Sequence, residues 1–327
     1  MKILYAATNN YGSKIQLSRF LEAMQGSKHQ IKIAAYKKSS PKNISIDWTL
    51  DALLNIYKPE LLSLNNDNIE IYLEQIKNYT PDLIISDLEY FTSYLANVIN
   101  IPLWQCSSSL INHALTRNEK YDLGLFKNYA HALNRDPAHT ARTANIITNS
   151  NHNLVYSHYA DTVPAPILQD NFEWIRPYHK VHRLHIPCRH DAVAGLSNNN
   201  KQILNFLKNY SEDNVVFLDS NLEKYQDIHL KDIDMEDEYY CNLRNCNLFI
   251  CQGQACFLAD AFYNGKFPII YPDYNDTESI INSHLSDKLS LGMIYQDSIN
   301  FININKTIFP IYNNSIMYLH EKIEKEF

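Results

Sequence analysis

Residues 247–285 carry a strand–turn–helix unit twice in succession, and this repeat constrains the fold more than any other stretch. An apolar run ends at Ile250 and a turn containing Gly253 follows. A segment of helical character then runs from Ala255 to Tyr263 and closes at Asn264-Gly265. A second strand, Pro268–Tyr271, stops at Pro272, and a turn rich in acids and amides opens another helix. Units of this kind build parallel sheets. Their ligands sit outside the carboxyl ends of the strands, against helix N-termini whose unbonded amides favour phosphate.

The same alternation extends along the chain. Lys2–Ala6, Ile31–Ala35, Asp82–Ser86, Pro102–Gln105, Ala144–Thr148 and Val215–Asp219 read as strands. Asp82–Ser86 is apolar with turn formers on both sides, the pattern of a parallel strand buried on two faces. Helical periodicity marks about 13–23, 48–78, 90–98, much of 107–140, 201–209, 236–245 and an amphipathic 313–326. Alternating strands and helices predict an α/β protein with two doubly wound, Rossmann-like domains. A stretch between about 162 and 195 holds Pro164, Pro166, Pro177 and Pro187 with little periodicity, and the boundary is expected there. The division is 1–165, 166–312 and a C-terminal helix at 313–327.

With 327 residues, the chain is comfortable as two domains. No apolar run approaches the ~18–20 residues that span a bilayer. The short apolar run in MKILYAATNN reads as a first buried strand rather than a signal peptide, so a cytoplasmic protein is expected. Net charge is −7, split as +2 over residues 1–150 and −9 over 151–327, which hints that the halves meet different partners. Cys241, Cys246, Cys251 and Cys256 are spaced by five. They fall on different elements and lack tight CxxC knuckles, so they read as buried thiols rather than a zinc site.

Pro81–Asp87, Gly253–Ala261, Asn264–Pro268, Glu278–Ser283 and Leu291-Gly292 together resemble motifs of MurG-like and UDP-glycosyltransferase-like GT-B enzymes. Pro81-Asp82-Leu83-Ile84-Ile85-Ser86-Asp87 with Ile101-Pro102 is similar to the family's PDLVISD…GIP. Gly253–Ala261 resembles GGFxxxSEA, Asn264–Pro268 resembles GKP, Glu278–Ser283 resembles EQxxNA, and Leu291-Gly292 resembles the closing LG. The departures are Gln254 for the second glycine, Asp260 for the glutamate, Ser279 for the glutamine, and Ser13 where the first loop often has a histidine. The resemblance implies two Rossmann-like domains facing across a cleft. It also implies transfer of a hexosyl or pentosyl group from a UDP-type nucleotide sugar to an acceptor hydroxyl, without a metal or other cofactor.

Such a transfer needs its diphosphate leaving group stabilised, its donor held in an attack pose, and a base for the acceptor's proton. The turn Gln252, Gly253, Gln254, Ala255, Cys256 is the candidate diphosphate cradle. By family position, Asp260 is the ribose acid, and Asp276, Glu278 and Asn282 meet the donor sugar; helix capping is the alternative for the two acids. Arg183, in a basic segment Arg176–His190, and Ser220 complete the donor set. For the base, Asp87 ends a buried strand at the ligand edge, with Glu89 and His113 beside it as candidates; capping of the helix at Tyr90 is the alternative for Asp87. The loop Asn10, Tyr11, Gly12, Ser13, Lys14 is placed on the acceptor side, as is a basic loop of Lys37, Lys38 and Lys42.

The slightly basic acceptor half makes a hydroxymethylated base in DNA one candidate acceptor, which would have to leave the stack to be reached, while the net charge of −7 counts against tight duplex binding. A cell-envelope glycan, a lipid-linked sugar or a small molecule is the alternative acceptor. A nucleotide-sugar epimerase and a silent nucleotide-sugar-binding protein are the alternative activities.

Overall fold

A computed structural model of the chain describes residues 1–8, 11–36, 44–50, 66–124, 137–162, 164–177, 190–196, 200–211, 213–218, 229–232, 236–295 and 318–327. Two compact units emerge. The first is Met1–Ala114, Asp136–Tyr156 and Asp170–Glu173; the second is Leu115–Arg135, Ser157–Gln169 and Trp174–Phe327. The chain therefore enters the second unit before residue 165, earlier than a single boundary would have it.

The first sheet is built from β1 (Lys2–Ala7), β2 (Gln30–Ala35), β3 (Trp48–Thr49), β4 (Leu83–Ser86), β5 (Leu103–Ser107), β6 (His152–Tyr156) and β7 (Glu173–Ile175). Its order is β3-β2-β1-β4-β5-β6-β7. Pairs from β1 through β6 are parallel, with Ile3 against both Ile31 and Leu83. Every residue of β4 and β5 is buried, as the unbroken apolar runs require in a sheet covered on both faces. The helices are α1 (Tyr11–Ala23), α2 (Asn66–Tyr79), α3 (Tyr90–Val98), α4 (Ile111–Ala114), α5 (Arg117–Asp122) and α6 (Pro137–Thr148). Tyr72 of α2 stacks on Phe91 of α3, and Trp48 and Tyr79 complete that side of the core.

The second sheet is built from β8 (Ala192–Leu196), β9 (Asn214–Leu218), β10 (His229–Asp232), β11 (Leu248–Cys251), β12 (Ile269–Ile270) and β13 (Met293–Ile294). Its order is β10-β9-β8-β11-β12-β13, all parallel. Its helices are α7 (Lys201–Tyr210), α8 (Glu236–Asn245), α9 (Ala255–Tyr263), α10 (Thr277–Lys288) and α11 (Tyr318–Glu326). Both sheets thus follow the doubly wound order in which the chain reverses direction beside the first strand of each. That reversal opens a crevice between β1 and β4 in one sheet and between β8 and β11 in the other.

Two expectations are corrected. Residues 144–148 are the last turn of α6, not a strand. Thr143, Ile146 and Ile147 are buried at helical spacing, Thr148 Oγ1 donates to the Ala144 carbonyl, and the strand begins later, at His152. The central strand β8 was absorbed into the proline-rich boundary stretch. Its Ala-Val-Ala-Gly-Leu sequence is weakly apolar because α9 packs close to it: a Cβ on Gly195 would lie 2.6 Å from the Phe257 ring. Of the stretch read as helical at 48–78, Trp48–Thr49 is strand and Asn66–Tyr79 is helix. The C-terminal helix is described from Tyr318.

Candidate active site

At the β1/β4 crevice, the side chains at three strand ends join. Tyr11 opens α1, so Tyr11 to Lys14 form its first turn rather than a loop, and Asn10 lies outside the described residues. Gly12 and Ser13 sit in that turn. Ser13 Oγ donates to Asp87 Oδ2, and Thr8 Oγ1 lies 2.5 Å from Ser13 Oγ. A carboxylate can only accept, so the Ser13 proton points at Asp87 and Thr8 is the donor to Ser13. With its amide oriented to satisfy its neighbours, Gln16 donates to Asp87 Oδ1 at 3.1 Å and accepts from the backbone N–H and the hydroxyl of Ser108, each at 3.1 Å. Asp87 is 2 % exposed and is held from behind by its own N–H, which donates to the Ala6 carbonyl at 2.9 Å. The next residue, Leu88, has φ +51°, a left-handed conformation that costs a leucine about 1–3 kcal/mol.

Glu89 makes a different set of bonds. It is the N-cap of α3: Oε1 accepts from Phe91 N (3.1 Å) and Oε2 from Thr92 N (2.6 Å). Tyr36 OH adds a bond at 3.2 Å. The residue is 0 % exposed, and burial raises its carboxyl pKa despite those bonds. The cap at Tyr90 therefore belongs to Glu89 and not to Asp87. His113 is half-buried on α4, five residues beyond Ser108.

At the β8/β11 crevice, β11 ends at Cys251 and Gln254 begins α9 without a side-chain cap bond. Gly253 has φ +86°, and its missing Cβ leaves room for α10: an added Cβ would lie 2.4 Å from Ser283 Oγ and 2.8 Å from the Ser279 carbonyl. Ser279 donates to the Gln252 carbonyl and accepts from Asp273 N at 2.8 Å, tying the strand end to the turn before α10. Glu278, 8 % exposed, places Oε1 3.2 Å from the Ala255 N–H at the start of α9. The helix N-terminus expected to cradle a phosphate thus already holds a carboxylate. Cys256, in the first turn, is buried.

Asp276 caps α10 through Glu278 N at 3.0 Å. Loss of solvent around its carboxyl, with Glu278 adding like charge, raises its pKa to about 7. Asp260 is 0 % exposed, and its Oδ1 accepts from Tyr240 OH of α8 at 3.2 Å. Asn282 is wholly buried, and its two side-chain polar atoms have no hydrogen-bond partner. Its carbonyl accepts from Tyr159 OH at 2.8 Å. Arg183, Ser220 and the loop lysines 37, 38 and 42 lie outside the described residues. Of the basic segment, Arg176 pairs with Asp161, and His190 Nδ1 lies 2.6 Å from Asp213. The described cysteines are buried free thiols, with burial raising Cys246 to about 11 and Cys251 to about 12.

Gln16 and Tyr159 went unnoticed in the sequence; they acquire meaning from partners 71 and 127 residues away, in the bonds Gln16–Asp87 and Tyr159–Ser286. Ser279 was visible only as a departure from a motif.

The family model described as glycosyl transferase family 1 matches residues 53–310. No curated protein matches the chain. Solved structures similar to it include CalG4, the calicheamicin glycosyltransferase, at 13 % identity and TM-score 0.57, covering 90 % of this chain and 85 % of that one. SsfS6 of Streptomyces sp. SF2575 is 14 % identical with TM-score 0.54, covering 90 % and 87 %. The spinosyn rhamnosyltransferase SpnG, in complex with thymidine diphosphate, is 13 % identical with TM-score 0.52, covering 90 % and 86 %. Among the described residues, no helix is long and apolar enough to cross a membrane. Two sheets of the doubly wound order, a polar cluster at the reversal point of each and the match over residues 53–310 agree: the chain belongs to glycosyl transferase family 1 and is a glycosyltransferase of the GT-B fold.

Proposed function

We propose that this enzyme transfers a sugar from a pyrimidine nucleoside diphosphate to a hydroxyl of a small organic acceptor, with Asp87, working through Ser13, as the base. The bond from Ser13 Oγ to Asp87 carries the reading. Thr8 donates to the same oxygen. As the acceptor oxygen bonds to the anomeric carbon, its proton passes to Ser13, the Ser13 proton passes to Asp87, and the bond from the sugar to the diphosphate breaks. A serine relay into a carboxylate thus stands where a loop histidine is missing.

The diphosphate is assigned to the turn from Gln252 to Cys256, where the amides and dipole of α9 meet its charge. No metal is needed for that, so EDTA should leave the rate unchanged; inhibition reversed by a divalent cation would count against this part. Glu278 guards the site when no donor is bound. Donor phosphate displaces it from Ala255 toward the sugar hydroxyls. Glu278→Gln should therefore bind free UDP or dTDP several-fold tighter and the matching nucleotide sugar more weakly. Equal affinities for both ligands in variant and parent would remove Glu278 from the donor site.

The acceptor is taken as a small molecule because similar folds serve such compounds, as the names of the calicheamicin and spinosyn enzymes state. A hydroxymethylated base in DNA remains the second reading, favoured by the charge split between the two halves. One assay separates them. Release of nucleoside diphosphate from UDP- and dTDP-sugars is followed with hydroxylated small molecules and with hydroxymethylcytosine DNA. Release that requires a small acceptor is expected. Conversion of the nucleotide sugar to a stereoisomer with no acceptor present would mean an epimerase, and binding without release under every acceptor would mean a silent binding protein.

A further inference from the structure

We propose that Gln16 is a positioning residue of the transfer reaction: bridging Ser108 and Asp87, it aims the carboxylate at Ser13. The inference rests on Asp87 being the base. Its ground is the polarity of one amide. The backbone N–H of Ser108 can only donate, so the group 3.1 Å from it must be the Gln16 oxygen. The Gln16 NH2 is then forced to face Asp87 Oδ1, also 3.1 Å away. A donor there stabilises the carboxylate and would oppose a proton on Oδ1. Because Ser108 N–H belongs to the main chain at the end of β5, the arrangement cannot reverse by a hydroxyl rotation.

The bridge also fixes direction. Gln16 holds one carboxylate oxygen and Ser13 the other, so the plane of the carboxylate is set by two contacts from the same face of α1, three residues apart. Gln16 is 6 % exposed, which shields the bridge from competing water. The flanking strands β1, β4 and β5 carry no other carboxylate. Tyr5 on β1 and Cys106 on β5 are both kept neutral by burial, with Asp87 itself raising them further. Glu89, on the α3 side, directs its carboxylate into the α3 amides and Tyr36. Lys14 and Arg19 are the cations of α1, and Arg19 is buried there, six residues beyond Ser13.

The test compares Gln16→Leu with Gln16→Glu, Asp87→Asn and the parent enzyme. Gln16→Leu keeps the size of the side chain and removes the bridge. It should lower kcat by about 10–100-fold, the range for a misplaced reacting group, with the KM for the nucleotide sugar unchanged. It should also move the acid limb of kcat/KM for the acceptor to higher pH, because Asp87 loses a donor to its charged form. Gln16→Glu keeps the Ser108 bonds but turns a like charge toward Asp87, and should move the limb further the same way; it also stands in if the leucine variant does not fold. Parent-like kcat and an unmoved acid limb in either variant would overturn the inference. So would a loss of kcat accompanied by an equal loss of donor affinity, which a merely structural role would give. If Asp87→Asn itself keeps full turnover, the base assignment fails, a separate result from failure of the bridge.

Discussion

Asp87→Asn should cut turnover by about 10²–10⁴-fold, the usual contribution of a positioned base, while the affinity for nucleotide and nucleotide sugar stays as it is. The substitution keeps the shape of the side chain, so the crevice at β1 and β4 need not rearrange. What it removes is, among the described residues of the cluster, the one group that can take a proton and hold it. Ser13 can pass a proton on, but without a carboxylate it has nowhere to send one. Donor affinity is spared because the residues assigned to the donor lie in the other unit, around Gln252 to Cys256 and α10. Rates with saturating donor and acceptor, together with calorimetric titration of the nucleotide, check both halves of the expectation. Turnover within a factor of a few of the parent would require a different base, and His113 would be the next residue to test.

Gly253→Ala should destabilise the second unit and abolish donor binding together. Two costs combine. The backbone at φ +86° is left-handed, which costs a non-glycine residue about 1–3 kcal/mol. The new methyl would also stand 2.4 Å from Ser283 Oγ and 2.8 Å from the Ser279 carbonyl, a main-chain atom of α10 that cannot rotate away. Helix α10 must then shift, and with it Glu278 and the bond from Ser279 to the Gln252 carbonyl. Gly26→Ala is the control. Its φ is +83°, but nothing lies within 4 Å of the added carbon, so only the backbone cost applies. Thermal unfolding should show a clearly larger fall in Tm for Gly253→Ala than for Gly26→Ala, and nucleotide should no longer raise Tm in the former. Equal falls would mean that α10 yields easily and that the close approach has no bearing on the donor turn.

The alternation of apolar runs with helical periodicity was enough to read most of β1, β2, β4, β5, β9 and β11 and of α1, α3, α7, α8, α9 and α10, because a parallel strand buried on both faces must be apolar along its length. The same rule hid β8. That strand lies at the centre of its sheet, but α9 approaches so closely that alanine and glycine replace larger side chains, and the run no longer looks like a strand. It also misread 144–148, where Ile146 and Ile147 make an apolar pair that a helix face and a strand accommodate equally well.

The candidate site was legible where it coincides with a motif. Asp87 at the end of PDLIISD and the turn around Gly253 could be found because strand ends and glycine turns leave local marks. The division of labour among the acids could not. Asp87, Glu89, Asp260, Asp276 and Glu278 are the same two residue types at similar places, yet one accepts from a serine hydroxyl, two cap helices, one takes a tyrosine hydroxyl and one sits on a neighbouring helix's amide.

By itself, then, the amino-acid order determined two doubly wound sheets and the strand ends where ligands gather, since periodicity and turn chemistry act between near neighbours. Only the tertiary structure decided which partner each carboxylate takes, through contacts such as Ser13 with Asp87 that span 74 residues. The state of a buried acid depends on the donors brought to it from elsewhere in the chain, and no local pattern records them.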